Sequence, residues 1–326
     1  MSEIKIINRY VRNKGGLSKL VGKIYRRESN SNNVNKMRLL LNDMFSYYFG
    51  FRGLDRPPLI ELETQNRCNM TCSFCPVNVN DDPREYYKMP DSLLEKIAND
   101  LGEMDFSGKI SLYANNEPLL DDRIINVCRL IRSKAKRATI NISTNGILMT
   151  KEIFLGLFEA GLNEMVIDNY NDKLALIKPL SRLLDEINPM NDPKIENYRL
   201  NTRIILRKKT EVLDSRGGYS PNKKNEDFQT YKYYSDHSCA LPFIQFVIRP
   251  NGEISLCATD ALGKVTLGDV SKQSIREVWN GEKFREVRRK LLRPKKQGRK
   301  SLDVCKGCDF APIQNVREAL GGHSRN

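Results

Sequence analysis

Residues 59–75 read LIELETQNRCNMTCSFC, a short apolar stretch followed by three cysteines within eight residues. The stretch at 59–63 is typical of a buried strand. Cys68, Cys72 and Cys75 cannot share one helix face or one strand, so they require a loop that curls around a metal centre. Three thiolates leave one iron of a four-iron, four-sulfur (4Fe-4S) cluster open. A zinc knuckle is the alternative, but no further His or Cys follows Cys75 locally.

The composition is that of a globular chain with a strong positive charge. It has 326 residues, 40% hydrophobic content and a formal net charge of +14. This length suits one large α/β domain with a smaller appended unit. No apolar run approaches the ~18–20 residues that cross a bilayer, and the N-terminus lacks the apolar core of a secretory signal. We therefore expect a cytoplasmic location, where eight cysteines stay reduced and favour metal ligation over disulfides.

The basic residues are concentrated in two segments, 5–38 and 276–300. Such an excess suits an anionic partner, namely a phosphorylated small molecule, a nucleotide-sugar, nucleic acid or a membrane face. A solvated basic surface is the alternative. Residues 285–300 contain no aromatic side chain, which argues against a nucleic-acid site that stacks bases.

Strand and helix patterns alternate between residue 59 and about residue 206. The pattern predicts strands over 59–63, 110–113, 139–143, 165–167 and 203–206, with helices over 90–101, 121–133, 151–160 and 172–184. This alternation indicates βαβ units and a parallel sheet within residues 58–210. Ligands of such sheets bind beyond the carboxyl ends of the strands.

The flanking regions read differently. Residues 1–57 show no strand-like alternation and predict a basic, helical extension, packed on the body or, alternatively, lying on a membrane. Residues 211–238 are polar and predict a linker. Residues 239–326 predict a small domain, with strands at 243–249 and 253–257 and a helix over 274–292.

A second set of cysteines lies in this last region. Cys239, Cys257, Cys305 and Cys308 have the spacing C-x17-C-x47-C-x2-C. Four thiolates saturate a metal centre, which indicates either a structural zinc or a closed iron–sulfur cluster. Cys128 stands alone in a helical pattern and is predicted to be a small buried hydrophobe.

The motif CNMTCSFC after a strand resembles the radical S-adenosylmethionine (SAM) superfamily. The resemblance implies an α/β fold, a partial (βα)6 barrel, whose three cysteines hold a 4Fe-4S cluster that binds SAM through its open iron. Phe74 matches the aromatic residue whose backbone meets adenine. Asn115, Asn116 and Glu117 match the loop that holds the amino group of SAM, with two asparagines in place of glycines. Ser143 and Asn145 match the segment that contacts its ribose and carboxylate.

The C-terminal region resembles the SPASM/twitch extension of these enzymes. A full SPASM domain has seven cysteines and two auxiliary clusters, so four cysteines imply the shorter twitch form with one auxiliary 4Fe-4S cluster. The resemblance also implies an external reductant, such as flavodoxin or ferredoxin.

Two residues are candidates for the reaction itself. Asp168 comes after the strand pattern at 165–167, which predicts a place at the active face as a base or ligand, with an ordinary turn role as the alternative. Arg216 lies shortly before Cys239, where a member of this subgroup that oxidises an aminocyclitol alcohol has an arginine near its substrate. A surface ion pair is the alternative for Arg216.

The predicted function is a radical SAM oxidoreductase that abstracts hydrogen from a small, sugar-like or anionic substrate. It oxidises or epimerises a sugar or aminocyclitol, with the auxiliary cluster accepting an electron. One alternative is a maturase of a ribosomally made peptide. Another is a non-enzymatic zinc protein that binds nucleic acid.

Overall fold

The computed structural model describes residues 4–8, 32–223, 236–293 and 297–310. In this part of the chain, nine strands form one sheet with the order β1-β6-β5-β4-β3-β2-β7-β8-β9. The strands are β1 (Lys5–Asn8), β2 (Leu59–Leu62), β3 (Lys109–Ser111), β4 (Thr139–Thr144), β5 (Glu164–Tyr170), β6 (Thr202–Arg207), β7 (Gln245–Ile248), β8 (Glu253–Ser255) and β9 (Thr266–Asp269). All neighbours from β1 to β7 pair in parallel, and β8 and β9 are added in antiparallel fashion.

Helices connect the parallel strands, as the α/β prediction requires. They are α1 (Asn32–Arg52), α2 (Asp91–Glu103), α3 (Ile124–Lys134), α4 (Lys151–Glu159), α5 (Lys178–Ile187), α6 (Pro193–Leu200), α7 (Leu241–Ile244), α8 (Ile275–Trp279), α9 (Glu282–Leu291) and α10 (Asp303–Lys306). Within the described ranges, the helices lack the combination of length and apolar content that a membrane span requires.

The two faces of the parallel sheet differ sharply in polarity. One face carries apolar side chains that are 0–1% exposed, including Ile60, Ile110, Ile140 and Ile204, and the apolar sides of the helices pack against it. Because side chains alternate along a strand, the residues between them lie on the opposite face. That second face carries many polar residues, and it is the concave side of the partial barrel.

Local signals place the helices. Thr150 caps α4 through a hydrogen bond that its side chain accepts from the backbone N–H of Ile153. Gly161 follows α4 with a φ of +101°, and a Cβ at this position would lie 2.5 Å from Cγ of Arg132. The positive φ of this glycine, two residues beyond the end of the helix at Glu159, lets the chain turn away from the helix.

The N-terminal region contains a strand, which corrects the prediction that residues 1–57 have none. β1 pairs in parallel with β6 in the register Lys5↔Arg203. A four-residue strand at the end of a sheet is too short to show alternation, so only its pairing defines it. The helical part of the prediction holds for α1, while residues 9–31 of the extension lie outside the described part of the chain.

Other boundaries also need correction. The helix predicted over 274–292 is two helices, α8 and α9, because the chain turns at Asn280 and Gly281. The helix predicted over 172–184 begins only at Lys178, after an Asn171 turn, and α6 was not predicted. The strand predicted over 243–249 begins at Gln245, after the short helix α7. Of the predicted linker, residues 224–235 fall outside the described residues.

Candidate functional site

The first three cysteines lie in a loop at the carboxyl end of β2. Cys72 is buried and packs with Met70 and Phe74, and Cys68 and Cys75 lie against the same small apolar cluster. The loop turns tightly, with the backbone N–H of Cys75 donating to the carbonyl of Cys72 at 3.1 Å. The structure thus brings together the three thiols that the sequence predicted as ligands.

Burial governs the chemistry of these thiols. Together with the nearby Cys75 sulfur, it raises the pKa of Cys68 and of Cys72 to about 12. Cys75 is shifted in the same direction by burial. The free thiols are therefore protonated at neutral pH, and a metal centre has to displace these protons when it binds.

Arg84 fixes the cysteine loop in place, a role that sequence reasoning missed. Its buried guanidinium donates to Glu63 at 3.1 Å and to Asp82 at 2.9 Å. It also donates to the carbonyl oxygens of Asn66 and Asn115. These contacts join the residues after β2 to the loop after β3. A charged side chain in a polar segment gives no sequence signal for such burial.

The loop after β3 holds the predicted SAM-binding residues Asn115, Asn116 and Glu117. The Asn115 side chain donates to the carbonyl of Ala258 at 3.1 Å, so it tethers the loop to the C-terminal region. Asn116 accepts from the backbone N–H of Ala114, while its buried Nδ2 group has no hydrogen-bond partner in the structure. An unpaired buried donor is costly, so this group is suited to meet a ligand.

Glu117 is buried and joins two loops. Its carboxylate accepts from the Thr144 hydroxyl at 2.6 Å, from the backbone N–H of Asn145 at 2.8 Å and from that of Leu119 at 3.0 Å. Burial raises the pKa of Glu117 to about 7, although these hydrogen bonds oppose the rise. The Glu117 carboxylate therefore holds the adjacent 143–146 segment in place through these hydrogen bonds.

Ser143 and Asn145 lie at the carboxyl end of β4. Ser143 donates to Asp168 at 3.0 Å, and Asn145 donates to the Asn69 side chain in the cysteine loop at 2.7 Å. Asp168 lies inside β5 rather than after it, which corrects the predicted strand end by three residues. Asp168 also pairs with Arg207 at 3.1 Å, so its carboxylate is held from two sides.

Polar pairs cross the concave face between neighbouring strands. Glu61 on β2 accepts from Gln245 on β7, and Ser111 on β3 donates to Asn141 on β4, each at 2.7 Å. Together with the Ser143–Asp168 and Asp168–Arg207 contacts, these pairs line the sheet from β7 to β6. The surface presents carboxylate, amide, hydroxyl and guanidinium groups, which can bind a small molecule rich in hydrogen-bonding groups.

Arg216 lies beside the first cysteine set. Its backbone has a φ of +48°, and its charge is close enough to Cys75 to oppose the burial effect on the pKa of that thiol. The Arg216 Nε lies 3.7 Å from Asp214, and this buried Nε–H makes no hydrogen bond in the structure. The left-handed turn at Arg216 is adjacent to Gly217, which packs against Val304 of α10.

The second cysteine set converges on one cavity. Cys239, Cys257, Cys305 and Cys308 line it together with Thr259 and Arg299. All four cysteines are buried, and the Cys257 sulfur lies 3.0 Å from the Thr259 hydroxyl. Burial raises the pKa of Cys305 well above its usual range and that of Cys308 to about 11. By contrast, Cys128 is buried in α3 away from both sets, as predicted for a small hydrophobe.

Both sets consist of thiols, the donors that favour iron–sulfur clusters or zinc. Four of these thiols line one cavity in the described part of the chain. His237, two residues before Cys239 in the sequence, pairs with the Asp43 carboxylate at 2.8 Å.

Two family models match the parts of the chain that hold these cysteines. The model of the radical SAM superfamily matches residues 62–169, and SPASM, an iron–sulfur cluster-binding domain, matches residues 239–309. The chain therefore contains a radical SAM domain followed by an SPASM domain. Its radical SAM domain binds a 4Fe-4S cluster and SAM, and its SPASM domain binds iron–sulfur. This radical SAM protein is therefore an enzyme, and the alternative of a non-enzymatic zinc protein is wrong.

Several known proteins resemble this radical SAM enzyme. The S-adenosyl-L-methionine-dependent 2-deoxy-scyllo-inosamine dehydrogenase of Niallia circulans is 26% identical over 260 residues, which cover 80% of this chain and 96% of that protein. The crystal structure of BtrN in complex with AdoMet and 2-DOIA matches with a TM-score of 0.64 and 24% identity, covering 79% of this chain and 94% of BtrN. Streptococcus suis SuiB bound to precursor peptide SuiA matches with a TM-score of 0.50 and 14% identity, covering 90% of this chain and 82% of SuiB. The structural matches establish the radical SAM fold.

Proposed function

We propose that this radical SAM enzyme oxidises an alcohol carbon of an aminocyclitol or a sugar to a ketone. The observation that carries the proposal is the cavity lined by Cys239, Cys257, Cys305 and Cys308, which provides four thiolates for an auxiliary 4Fe-4S cluster with no open iron. Such a saturated centre can accept the electron that an oxidation releases. The dehydrogenase relative, which aligns over almost its whole length, supports the same reaction.

The polar concave face supports the substrate class. Its cross-strand pairs offer acceptors at Glu61 and Asp168 and donors at Gln245 and Arg207. A substrate ring with several hydroxyl or amino groups can form a hydrogen bond to each of these side chains in place of the bond that the side chains now make to one another. A peptide would need a long groove instead, and β1 occupies the sheet edge beside β6 in this structure. These features favour the small-molecule substrate over the peptide maturase.

The residues of the chain divide the work of binding. When bound, the first cluster and SAM supply the hydrogen-abstracting radical, and the auxiliary cluster takes up one electron. Cys68, Cys72 and Cys75 hold the first centre, and the buried Phe74, whose ring centre lies 5.7 Å from that of Tyr170, packs beside Cys72. The loop residues Asn115, Asn116, Ser143 and Asn145 bind SAM, and the unpaired Asn116 Nδ2 group is its donor. Glu117 positions these SAM-binding loop residues.

Asp168 is the residue that we assign to proton removal. Oxidation of an alcohol releases the hydroxyl proton as well as hydrogen and an electron, so a base must lie on the concave face. Ser143 and Arg207 orient the Asp168 carboxylate there, and its side chain remains 19% exposed. Arg216, whose Nε–H is unpaired beside the first cysteine set, is suited to bind a substrate oxygen.

The remaining assignments concern the surroundings of the enzyme. We propose residues 58–210 as the radical SAM unit and 239–326 as the auxiliary-cluster unit. A flavodoxin or ferredoxin supplies the electron for the first centre, and the basic surface suits these acidic carriers. A cytoplasmic location fits eight cysteines that form no disulfide in the structure.

Metal analysis and SAM cleavage test the proposal together. Anaerobically reconstituted protein should hold about eight irons per chain and form 5′-deoxyadenosine when reduced. The triple variant Cys68→Ala/Cys72→Ala/Cys75→Ala should keep about four irons and form none, whereas Cys128→Ala should behave like the parent. Candidate aminocyclitols and sugars should yield one ketone per SAM consumed. Four irons with one zinc, or products that keep their oxidation state, would refute the dehydrogenase assignment.

A further inference from the structure

Arg299 is a cation buried at the auxiliary site. It lies in the 3₁₀ turn Gly298–Ser301, its side chain is only 1% exposed, and it lines the same cavity as the four cysteines. The sequence places it at the end of the basic run 276–300, where a solvated side chain is expected. Burying a guanidinium is unfavourable unless an opposite charge compensates it.

The described hydrogen bonds of Arg299 all go to backbone carbonyls. Nε donates to the carbonyl of Ser238 at 2.8 Å, and Nη1 donates to that of Phe310 at 2.9 Å and, less closely, to that of Cys308. The buried Nη2 has no hydrogen-bond partner in the structure. Carbonyls orient the guanidinium but do not neutralise it, and one N–H group is left for something in the cavity.

The cysteines are the charges that act on this guanidinium. Burial lowers the pKa of Arg299, whereas the sulfur atoms of Cys239, Cys308 and Cys305 and the Asp43 carboxylate act in the opposite direction, and the net result is a raised pKa. Asp43 itself accepts hydrogen bonds from the Ser238 N–H at 2.6 Å and pairs with His237. The negative charge of the auxiliary site is therefore the main partner of Arg299.

We propose that Arg299 is the charge partner of the auxiliary cluster and raises its reduction potential. A 4Fe-4S cluster with four thiolates has a net negative charge, and one-electron reduction increases that charge by one. A fixed cation beside it stabilises the reduced form more than the oxidised form, and an N–H bond from Nη2 to a cluster sulfur acts in the same direction.

This role rests on the proposed function, in which the substrate gives up the electron. The SAM-derived radical would take one hydrogen atom and Asp168 would take the hydroxyl proton, which leaves one surplus electron on the substrate. When bound at the four cysteines of the second set, the auxiliary cluster would accept that electron, and the substrate would become a ketone. A higher potential at the acceptor favours this transfer.

The reduction potential tests the proposal without any turnover. In the background of Cys68→Ala/Cys72→Ala/Cys75→Ala, only the auxiliary cluster gives a signal in an EPR-monitored redox titration. For Arg299→Gln we expect the equilibrium constant of one-electron reduction to fall about tenfold, which is a shift of about 59 mV to lower potential. Arg299→Lys keeps the charge and should stay within about threefold of its parent.

Arg199 provides a matched control. It is also a buried arginine, 2% exposed, whose Nη1 donates to the carbonyls of Ile187 and Asn188, and it lies in α6, away from the cysteine cavity. Arg199→Gln should leave the potential unchanged. Equal shifts in Arg299→Gln and Arg299→Lys, or no shift in a fully loaded Arg299→Gln, would overturn the charge role.

A second measurement tests the same contact if the Arg299 variants fail to load iron. Unmutated protein labelled with ¹⁵N in its arginine side chains should show coupling between a guanidinium nitrogen and the reduced auxiliary cluster in pulsed EPR. A missing coupling would overturn the contact. Iron and zinc analysis of the unmutated chain separates the two proposals, since zinc at the second site defeats the proposed function, whereas iron with an insensitive potential defeats only the role of Arg299.

Discussion

Replacing Glu117 by Gln tests a buried carboxyl group whose hydrogen bonds join two of the loops that surround the first site. The carboxylate is 2% exposed, and burial raises its pKa from an ordinary 4.5 to about 7. In the unfolded chain the side chain meets water and ionises near its ordinary value. The folded state therefore binds a proton that the unfolded state has released, over the interval between these two pH values.

The sign and size of the effect follow from this difference. A raised carboxyl pKa adds stability that is fully present below pH 4.5 and is lost as the pH rises through about 7. Each pKa unit corresponds to about 1.36 kcal/mol, so the loss amounts to about 3 kcal/mol. Gln does not titrate, and any cost of facing its amide group toward the Asn145 N–H is the same at every pH. The free energy of unfolding of Glu117→Gln, measured relative to that of the parent at the same pH, should therefore rise by about 3 kcal/mol between pH 4 and pH 8.

Urea unfolding followed by the fluorescence of Trp279, the single tryptophan, measures this difference. Parent and variant should be compared at each pH, because other groups titrate in both proteins and cancel in the comparison. Glu95→Gln, at an exposed position of α2, is the control and should show a flat difference. A pH-independent difference for Glu117→Gln would refute the idea that a buried, proton-retaining carboxyl joins the two loops.

Three further substitutions test the packing around the site. Gly108→Ala places a Cβ 2.4 Å from the carbonyl oxygen of Pro58, a backbone atom that cannot easily move away. Thermal unfolding should therefore show a free energy of unfolding that is lower by about 1–3 kcal/mol. Trp279→Ala empties a fully buried site and should cost about 3–5 kcal/mol in denaturant titrations followed by circular dichroism. Arg84→Met leaves Glu63 buried without its cation and should cost about 3–5 kcal/mol, with less iron bound at the first site; an unchanged iron content would contradict the role of Arg84.

The sequence predicted the centre of the sheet well, because each of its strands leaves a local trace. Strands β2, β4 and β6 carry apolar residues at alternate positions and are separated by amphipathic helices, so their patterns are visible without knowledge of pairing. β1 leaves no such trace, since its consecutive residues Lys5 and Ile6 are both exposed, and it is defined only by its pairing with β6.

Site residues could be predicted from the sequence where their spacing forms a motif. They could not be predicted where their role depends on burial in the folded chain. The seven cysteines were found from their spacing, and the structure gathers them into two groups. Arg84, Arg288 and Arg299 are cations that in sequence read as solvated charges. Arg288 instead lies 4.0 Å from the centre of the Trp279 ring, a contact made by tertiary packing. Asp168 was predicted to follow its strand but lies inside β5, since polar residues within a strand resemble a strand end.

The parallel pair of β1 and β6 has a consequence for synthesis of the chain. Lys5 precedes its partner Arg203 by about 200 residues in the chain, so Arg203 is translated that much later. At roughly 5–20 residues per second, β1 waits about 10–40 s on the ribosome before its partner exists. Until then β1 is an unpaired strand, and β6 gains its outer neighbour only by closing a very long loop. Completion of the sheet is therefore a late folding event, and slowing translation cannot bring it forward.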